Sequence, residues 1–216
     1  MMVTNDGSMS SAIAAKADIE FELTAGELCL DFANTLTGPD HRRDLLKDYG
    51  ALVAWSRQTS LVSPREALLL LREGAKAPRT ARSVLARARR LRDVIFRAFS
   101  AVAARRQVAP GDLDELNTFI ADALRHRRLT AAGDHFEWQW TRDEPTALGR
   151  MLWPIAQSAV DLLTSERVSS VRECAAPTCA WLFLDQSHNK TRRWCDMKVC
   201  GNRAKARRFH QKARER

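Results

Sequence analysis

Four of the five cysteines lie within 27 residues near the C-terminus, in two pairs with the same internal spacing. Cys174 and Cys179 form the first pair and Cys195 and Cys200 the second, each with four residues between its members. Structural zinc needs four soft ligands in a tetrahedron, and two cysteines joined by a tight loop supply two of them. The spacing therefore predicts one structural zinc ion held by these four cysteines.

Other interpretations of the cysteines are reduced thiols in a small core or a redox pair. The surrounding 50 or so residues are very basic and poor in large apolar side chains, so they need a cross-link to fold. This favours a bound metal ion over the other two interpretations. His188 lies between the pairs, but four thiolates already complete the shell and leave no open position for a catalytic water. Cys29 stands alone in an apolar segment and is interpreted as a small buried hydrophobe.

The excess positive charge is confined to the same end of the chain. The whole chain carries a net charge of +9, and residues 186–216 alone hold eleven lysines and arginines against two acids. A concentrated basic patch is the electrostatic signature of a polyanion-binding surface, although a solvated tail gives the same count. We predict a basic helix after Cys200 and nucleic-acid contacts from eight residues: Arg192, Arg193, Lys198, Arg203, Lys205, Arg207, Arg208 and Lys212.

Upstream of the cysteines the apolar pattern is mainly helical. The clearest helix is predicted over 80–106. Three further helices are predicted to begin after a cap at Asp44, at the capping box of Ser63 and Glu66, and at Pro110. A last helix is predicted over 145–164, where Pro154 causes a kink or a late start. Alternation predicts a short strand over 28–32 and a hairpin around Gly133. The fold class is thus mainly α, with a few short strands and a small C-terminal zinc finger in which a knuckle hairpin precedes a basic helix, as in a treble clef.

These patterns predict a flexible N-terminal tail over 1–17, a helical domain over 18–165 and the finger over 166–216. The start of the chain does not resemble a signal peptide and no apolar run is long enough for a bilayer, so we expect a cytoplasmic protein without a membrane partner.

Three segments near the cysteines resemble the CGNR zinc finger: residues 174–185, the Arg192–Cys195 segment, and the Cys200–Arg203 segment that reads Cys-Gly-Asn-Arg. Residues 26–36 and 158–163 resemble the opening and the closing helix of the ABATE domain that precedes this finger. The resemblance implies a bacterial, stress-induced, DNA-binding transcription regulator, and the four cysteines match the zinc ligands of the family.

We therefore expect a DNA-binding regulator whose helical domain dimerises or senses a small molecule. An RNA-binding or ribosome-associated protein is the alternative, with Trp181 and Trp194 as stacking groups. An enzyme is not expected, because Asp185, His188 and Asn189 form the one local acid/base cluster in the finger and lack a nucleophile. An effector pocket lined by Asp31, Asn34 and His41 is one hypothesis, and a structural role for these residues at the end of the predicted strand is the other.

Overall fold

The computed structural model describes residues 20–38, 43–141 and 147–214, without the side chains of Lys212 and Arg214. His41, Pro145 and the predicted N-terminal tail lie outside the described residues. The elements of the helical domain are α1 (Leu28–Ala33), β1 (Leu36–Thr37), β2 (Arg43–Asp44), α2 (Tyr49–Gln58), α3 (Pro64–Lys76), α4 (Pro78–Ala103), α5 (Pro110–Arg125), β3 (Arg127–Ala132), β4 (His135–Trp140) and α6 (Leu152–Leu163). A 3-10 turn (Glu166–Ser170) leads to β5 (Val171–Glu173), β6 (Leu182–Leu184), a π-helical turn (Met197–Gly201) and α7 (Asn202–Arg214).

Helix α4 is the centre of the domain, and it contacts α1, α2, α3, α5, α6 and both strands of the finger. Its apolar stripe is buried, with Ala88, Leu91, Ile95 and Phe99 fully inaccessible to solvent. These residues recur at spacings of three and four, so they share one face of the helix. The helix predicted from this spacing is confirmed.

The N-terminal caps of two helices were predicted from the sequence, and one of the two predictions is right. Helix α3 begins with the predicted capping box, in which the Ser63 amide donates to Glu66 and the Glu66 amide donates to Ser63. The cap predicted at Asp44 is wrong, because α2 starts at Tyr49 and its cap is Asp48. Asp44 lies in β2 instead, where its carboxylate binds the buried guanidinium of Arg92 at 2.6 Å.

The strand predicted over 28–32 is also wrong, since these residues form the short helix α1. The alternation of Leu28, Leu30 and Phe32 with other residues suggested one apolar face. In the structure Cys29, Leu30 and Phe32 are fully buried, whereas Leu28 and Asp31, three residues apart, are half-buried, which is the period of a helix. So short a segment cannot be assigned to a helix or a strand from its apolar pattern alone, which is why the prediction failed.

The remaining elements follow the sequence more closely. Strands β3 and β4 form the predicted hairpin, in register from Arg127 opposite Trp140 to Ala132 opposite His135. Pro154 lies in the first turn of α6, which begins at Leu152, so the proline marks a late start. Within the described residues no helix is both long and apolar enough to cross a membrane.

Strand β6 joins the finger to the helical domain. Leu182 and Leu184 belong to the helical core, whereas Phe183 between them packs against the cysteines. The Asn34 side chain pairs with the backbone of Leu182, donating to its carbonyl at 2.8 Å and accepting from its amide at 2.9 Å. The amide of Leu184 donates to the carbonyl of Ala25 at 2.8 Å. The finger is therefore built onto the domain by a shared strand.

Asn34→Ala should strongly destabilise the fold, because it leaves two buried backbone groups of Leu182 without partners. We expect the free energy of unfolding in urea to fall by about 2–4 kcal/mol. Asn117→Ala, an exposed asparagine on α5, is the matched control and should change it by less than about 0.5 kcal/mol. Equal losses in the two variants would show that the Asn34 pairing contributes little.

Candidate metal centre and nucleic-acid interface

The first cysteine pair sits in the loop that connects β5 to β6. Those strands pair antiparallel, with Val171 opposite Leu184. The Cys174 amide donates to the carbonyl of Trp181 at 2.8 Å, and the Cys179 amide donates to the carbonyl of Ala176 at 3.0 Å. These bonds fold the loop into a knuckle that turns both sulfurs to the same side.

The second pair lies where the chain enters α7. Asp196 caps the π-helical turn by accepting from the Val199 amide at 2.8 Å. The Gly201 amide donates to the Asp196 carbonyl at 3.0 Å, which closes the turn around Cys200. Helix amides at this point favour negative charge, so the turn suits a thiolate ligand.

All four sulfurs converge on one point. Every pair of Sγ atoms lies within 4.8 Å, and no disulfide links them. The Sγ atoms of Cys179 and Cys195 are 3.5 Å apart, and those of Cys195 and Cys200 are 3.7 Å apart. A tetrahedral zinc ion with Zn–S bonds of about 2.3 Å requires sulfurs about 3.8 Å apart. The four buried cysteines therefore fit one structural zinc ion, as predicted.

The thiols perturb one another even without the ion. Hydrogen bonds from the thiols of Cys179 and Cys195 lower the pKa of Cys174. Burial and the nearby charge of Cys174 raise the pKa of Cys200. These opposite shifts show that the four thiols cannot all ionise side by side without a counter-charge. A divalent cation supplies that charge, because each sulfur then binds as a thiolate and releases its proton.

Asp185 organises the loop between the two pairs rather than forming an acid/base cluster. Its buried carboxylate accepts from the Ser187 hydroxyl at 2.6 Å, the Ser187 amide at 3.0 Å and the Arg192 amide at 3.0 Å. Burial opposes ionisation, but these hydrogen bonds outweigh it and hold the pKa of Asp185 below its usual range. His188 and Asn189 are exposed on the same loop.

The two arginines of this loop have different surroundings. The Arg192 guanidinium lies 4.5 Å from the centre of the Phe183 ring and donates to the carbonyls of Trp194 and Cys195. It thus stabilises the backbone around the zinc site. Arg193 is exposed, and its guanidinium lies 5.6 Å from the centre of the Trp194 ring.

Helix α7 projects away from the finger. The sequence offers a thin apolar stripe of Val199, Ala206, Phe209 and Ala213 for packing on the zinc core, but the structure leaves all four residues exposed. Phe209 is 71% exposed, Val199 is 37% exposed, and Ala204 is the one partly buried residue among the described side chains of α7. The zinc core contains the cysteines, Ala176 and Phe183 with flanking tryptophans, so it is too small to cover more than the first turn of the helix.

A groove of about 760 Å³ separates the knuckle from one face of α7, and we call it the Trp194 groove. Positions 204, 207, 208 and 211 of the helix line it, a spacing that marks one helical face. Opposite them lie Pro177, Arg193 and Trp194. Three arginines and no acid line the groove. His210 and Gln211 also line the groove and were not predicted from the sequence, although Gln211 follows the 204–207–208 spacing.

The remaining predicted contacts are distributed around the helix. Lys198 and Lys205 are exposed, and Arg203 is exposed beside Cys200 in a separate cleft against the helical domain. The side chain of Lys212 lies outside the described part of the chain. Nucleic-acid contact by these residues stays a prediction.

Asp31 and Asn34, considered as possible pocket residues, have different surroundings: Asp31 lines a cavity of about 430 Å³, whereas Asn34 is buried. Asn34 holds Leu182, as described above, and Asp31 accepts from the Ala25 amide at 2.9 Å. Burial raises the pKa of Asp31 to about 6. Because the Ala25 carbonyl accepts from the amide of Leu184, Asp31 and Asn34 both bind backbone at or next to β6. An effector pocket at these residues stays a prediction.

Comparison with protein families accounts for nearly the whole described chain. Residues 26–166 match the ABATE family, described as "Putative stress-induced transcription regulator". This match covers more than half of the chain. The chain belongs to the ABATE family. Residues 170–213 of this ABATE protein match the CGNR zinc finger, so the finger follows the ABATE domain directly. No curated protein matches the chain at a significant level.

Cys195→Ser and Cys200→Ser should each abolish stoichiometric zinc binding, because three thiolates and a hydroxyl hold the ion poorly and metal binding supplies folding energy. Zinc per chain, measured on purified protein by atomic emission, should fall from one to near zero. Cys29→Ala is the matched control, since Cys29 is buried in the helical core, and it should keep one zinc. Full zinc content in the two serine variants would contradict the site.

Proposed function

We propose that this ABATE protein is a transcription regulator that binds DNA through α7 and the Trp194 groove. The helical domain then serves as its sensing or dimerisation part, and zinc has a structural rather than a catalytic role. The observation that carries the proposal is the exposure of α7. From Lys205 to Gln211 every side chain of the helix is exposed, and residues 197–214 contain no acid.

The shape and charge of this region suit a duplex. A helix with its side chains is about 10–12 Å across, close to the width of the major groove of B-DNA. A helix of 13 residues extends about 20 Å, long enough to follow several base pairs. Arginines at 193, 207 and 208 face the groove beside the helix, where phosphates are the expected partners.

The metal fixes the direction of this helix. Cys200 lies in the turn immediately before α7, so the zinc ion holds the first turn against the knuckle. A zinc tetrathiolate carries a formal charge of −2, and the surrounding arginines and lysines offset it. The excess of positive charge nevertheless remains on the projecting helix and the loop before it.

RNA is the second candidate partner, and Trp194 is the reason to keep it. Its ring is partly exposed, lines the groove and lies beneath Arg193. Aromatic rings beside arginines bind unstacked bases, which single-stranded RNA presents and duplex DNA does not. Competition of unlabelled single-stranded RNA against bound duplex DNA separates the two, because the preferred partner displaces the other at lower concentration.

Replacing Arg207 and Arg208 together by alanine should weaken binding to a fluorescein-labelled duplex in anisotropy titrations. Each lost phosphate contact lowers the slope of log affinity against log salt by about 0.9, so we expect the slope to fall by about two. Zinc content should stay at one per chain.

Arg79→Ala with Arg82→Ala is the matched control. Both arginines are exposed on α4, outside the finger, and the change in net charge is the same. This variant should keep the wild-type slope. Equal slopes for both double variants would place the DNA contact elsewhere, and the absence of salt-dependent binding by the wild type would reject the proposal.

A further inference from the structure

Three of the six tryptophans of the chain meet at one cavity in the helical domain. The cavity has a volume of about 470 Å³ and we call it the tryptophan pocket. Trp138 and Trp140 come from β4, and Trp153 comes from the first turn of α6. Cavities of roughly 300–1,000 Å³ with aromatic walls are the usual size and lining of small-molecule sites.

Ring contacts within the helical domain fix two of the three tryptophans. The His126 ring stacks on Trp153 at a centroid distance of 3.8 Å, and Trp153 is 7% exposed. Trp140 lies 6.3 Å from Trp153 and is tilted by 36°. Two indoles are therefore fixed by the fold, whereas Trp138 is 62% exposed at the edge of the pocket.

The charged side chains around the tryptophan pocket indicate the charge of its ligand. Glu66 lines the pocket, but its carboxylate already accepts from the Ser63 amide and the Arg150 guanidinium, so its charge is neutralised within the protein. Arg127 adds a second guanidinium, 5.4 Å from the Trp138 ring centre and 4.9 Å from that of Trp140. Glu66 and Arg150 compensate each other, so among the described residues Arg127 is the guanidinium at the aromatic wall with no carboxylate partner.

We propose that the tryptophan pocket is a binding site for a planar aromatic anion. The indole rings contact the aromatic ring of the ligand, and the positive charge of Arg127 favours its negative charge. A cationic ligand is disfavoured, because Arg127 would repel it. The binding site stands independently of nucleic-acid binding, and only the role of its ligand as an effector rests on the proposed function.

The direct test is titration of the full zinc-loaded chain with 8-anilinonaphthalene-1-sulfonate, an aromatic anion with a planar naphthalene ring, whose fluorescence rises in apolar sites. We expect saturable binding of one probe per chain, accompanied by quenching of tryptophan emission. No DNA is present, so the result does not depend on the proposed function. Absence of saturable binding would overturn the proposal.

Two variants on one face of the hairpin locate the probe. Trp138→Thr should weaken binding at least tenfold, which corresponds to about 1.4 kcal/mol. Phe136→Thr is the matched control: Phe136 is 72% exposed on the same face two residues away but does not line the pocket, and its variant should bind normally. Unchanged binding by the Trp138 variant, or equal losses in both variants, would overturn the site. Circular dichroism checks that each variant is folded.

The preference for an anion is tested separately. Arg127→Gln should weaken binding of the sulfonate probe several-fold but leave binding of N-phenyl-1-naphthylamine unchanged, because that probe has the same ring system without the charge. Equal effects of the substitution on the two probes, including no effect on either, would overturn the assignment of an anionic ligand.

Discussion

Strand β6 is the part of the structure on which both halves of the protein depend. It has three buried residues, of which Leu182 and Leu184 complete the helical core and Phe183 completes the zinc core. Its backbone is held by Asn34 and Ala25 on the side of the helical domain. Alternation of side chains along a strand makes this sharing possible, because neighbouring residues point to opposite faces. The finger and the helical domain are consequently one structural unit in which the metal site has a fixed position.

From this strand the position of the basic helix follows in two steps. The knuckle between β5 and β6 supplies Cys174 and Cys179, and the zinc ion connects that knuckle to Cys195 and Cys200. Cys200 belongs to the turn that starts α7, so the first turn of the helix is anchored while the rest projects into solvent. The small zinc core explains the exposure of Phe209, since no apolar surface remains to cover it. A rigid start and an exposed, acid-free continuation are what the proposed DNA contact requires.

Sequence and structure agree where the determining signals are local. The cysteine spacing, the capping box at Ser63, the apolar stripe of α4 and the hairpin around Gly133 each depend on residues close in sequence, and all four were predictable. Prediction failed where tertiary contacts decide. The segment 28–33 is a helix with four residues buried in the core. The Asp44 carboxylate binds Arg92, 48 residues away, instead of capping a helix. The pairing of Asn34 with Leu182, across 148 residues, and the meeting of Trp138, Trp140 and Trp153 left no sequence pattern to recognise.

The central claim is that zinc turns a basic segment into an oriented DNA-binding surface, and one comparison tests it most directly. The zinc-loaded chain and the same chain stripped of metal by a chelator carry the same basic residues, and the stripped chain lacks the −2 charge of the tetrathiolate. Charge alone therefore cannot make the stripped chain bind one labelled duplex more weakly at the same ionic strength. The account predicts that removal of zinc weakens binding at least about tenfold, or about 1.4 kcal/mol, and that adding back zinc restores it. Equal affinity of the two forms would contradict it, because the charge of the segment alone would then be sufficient.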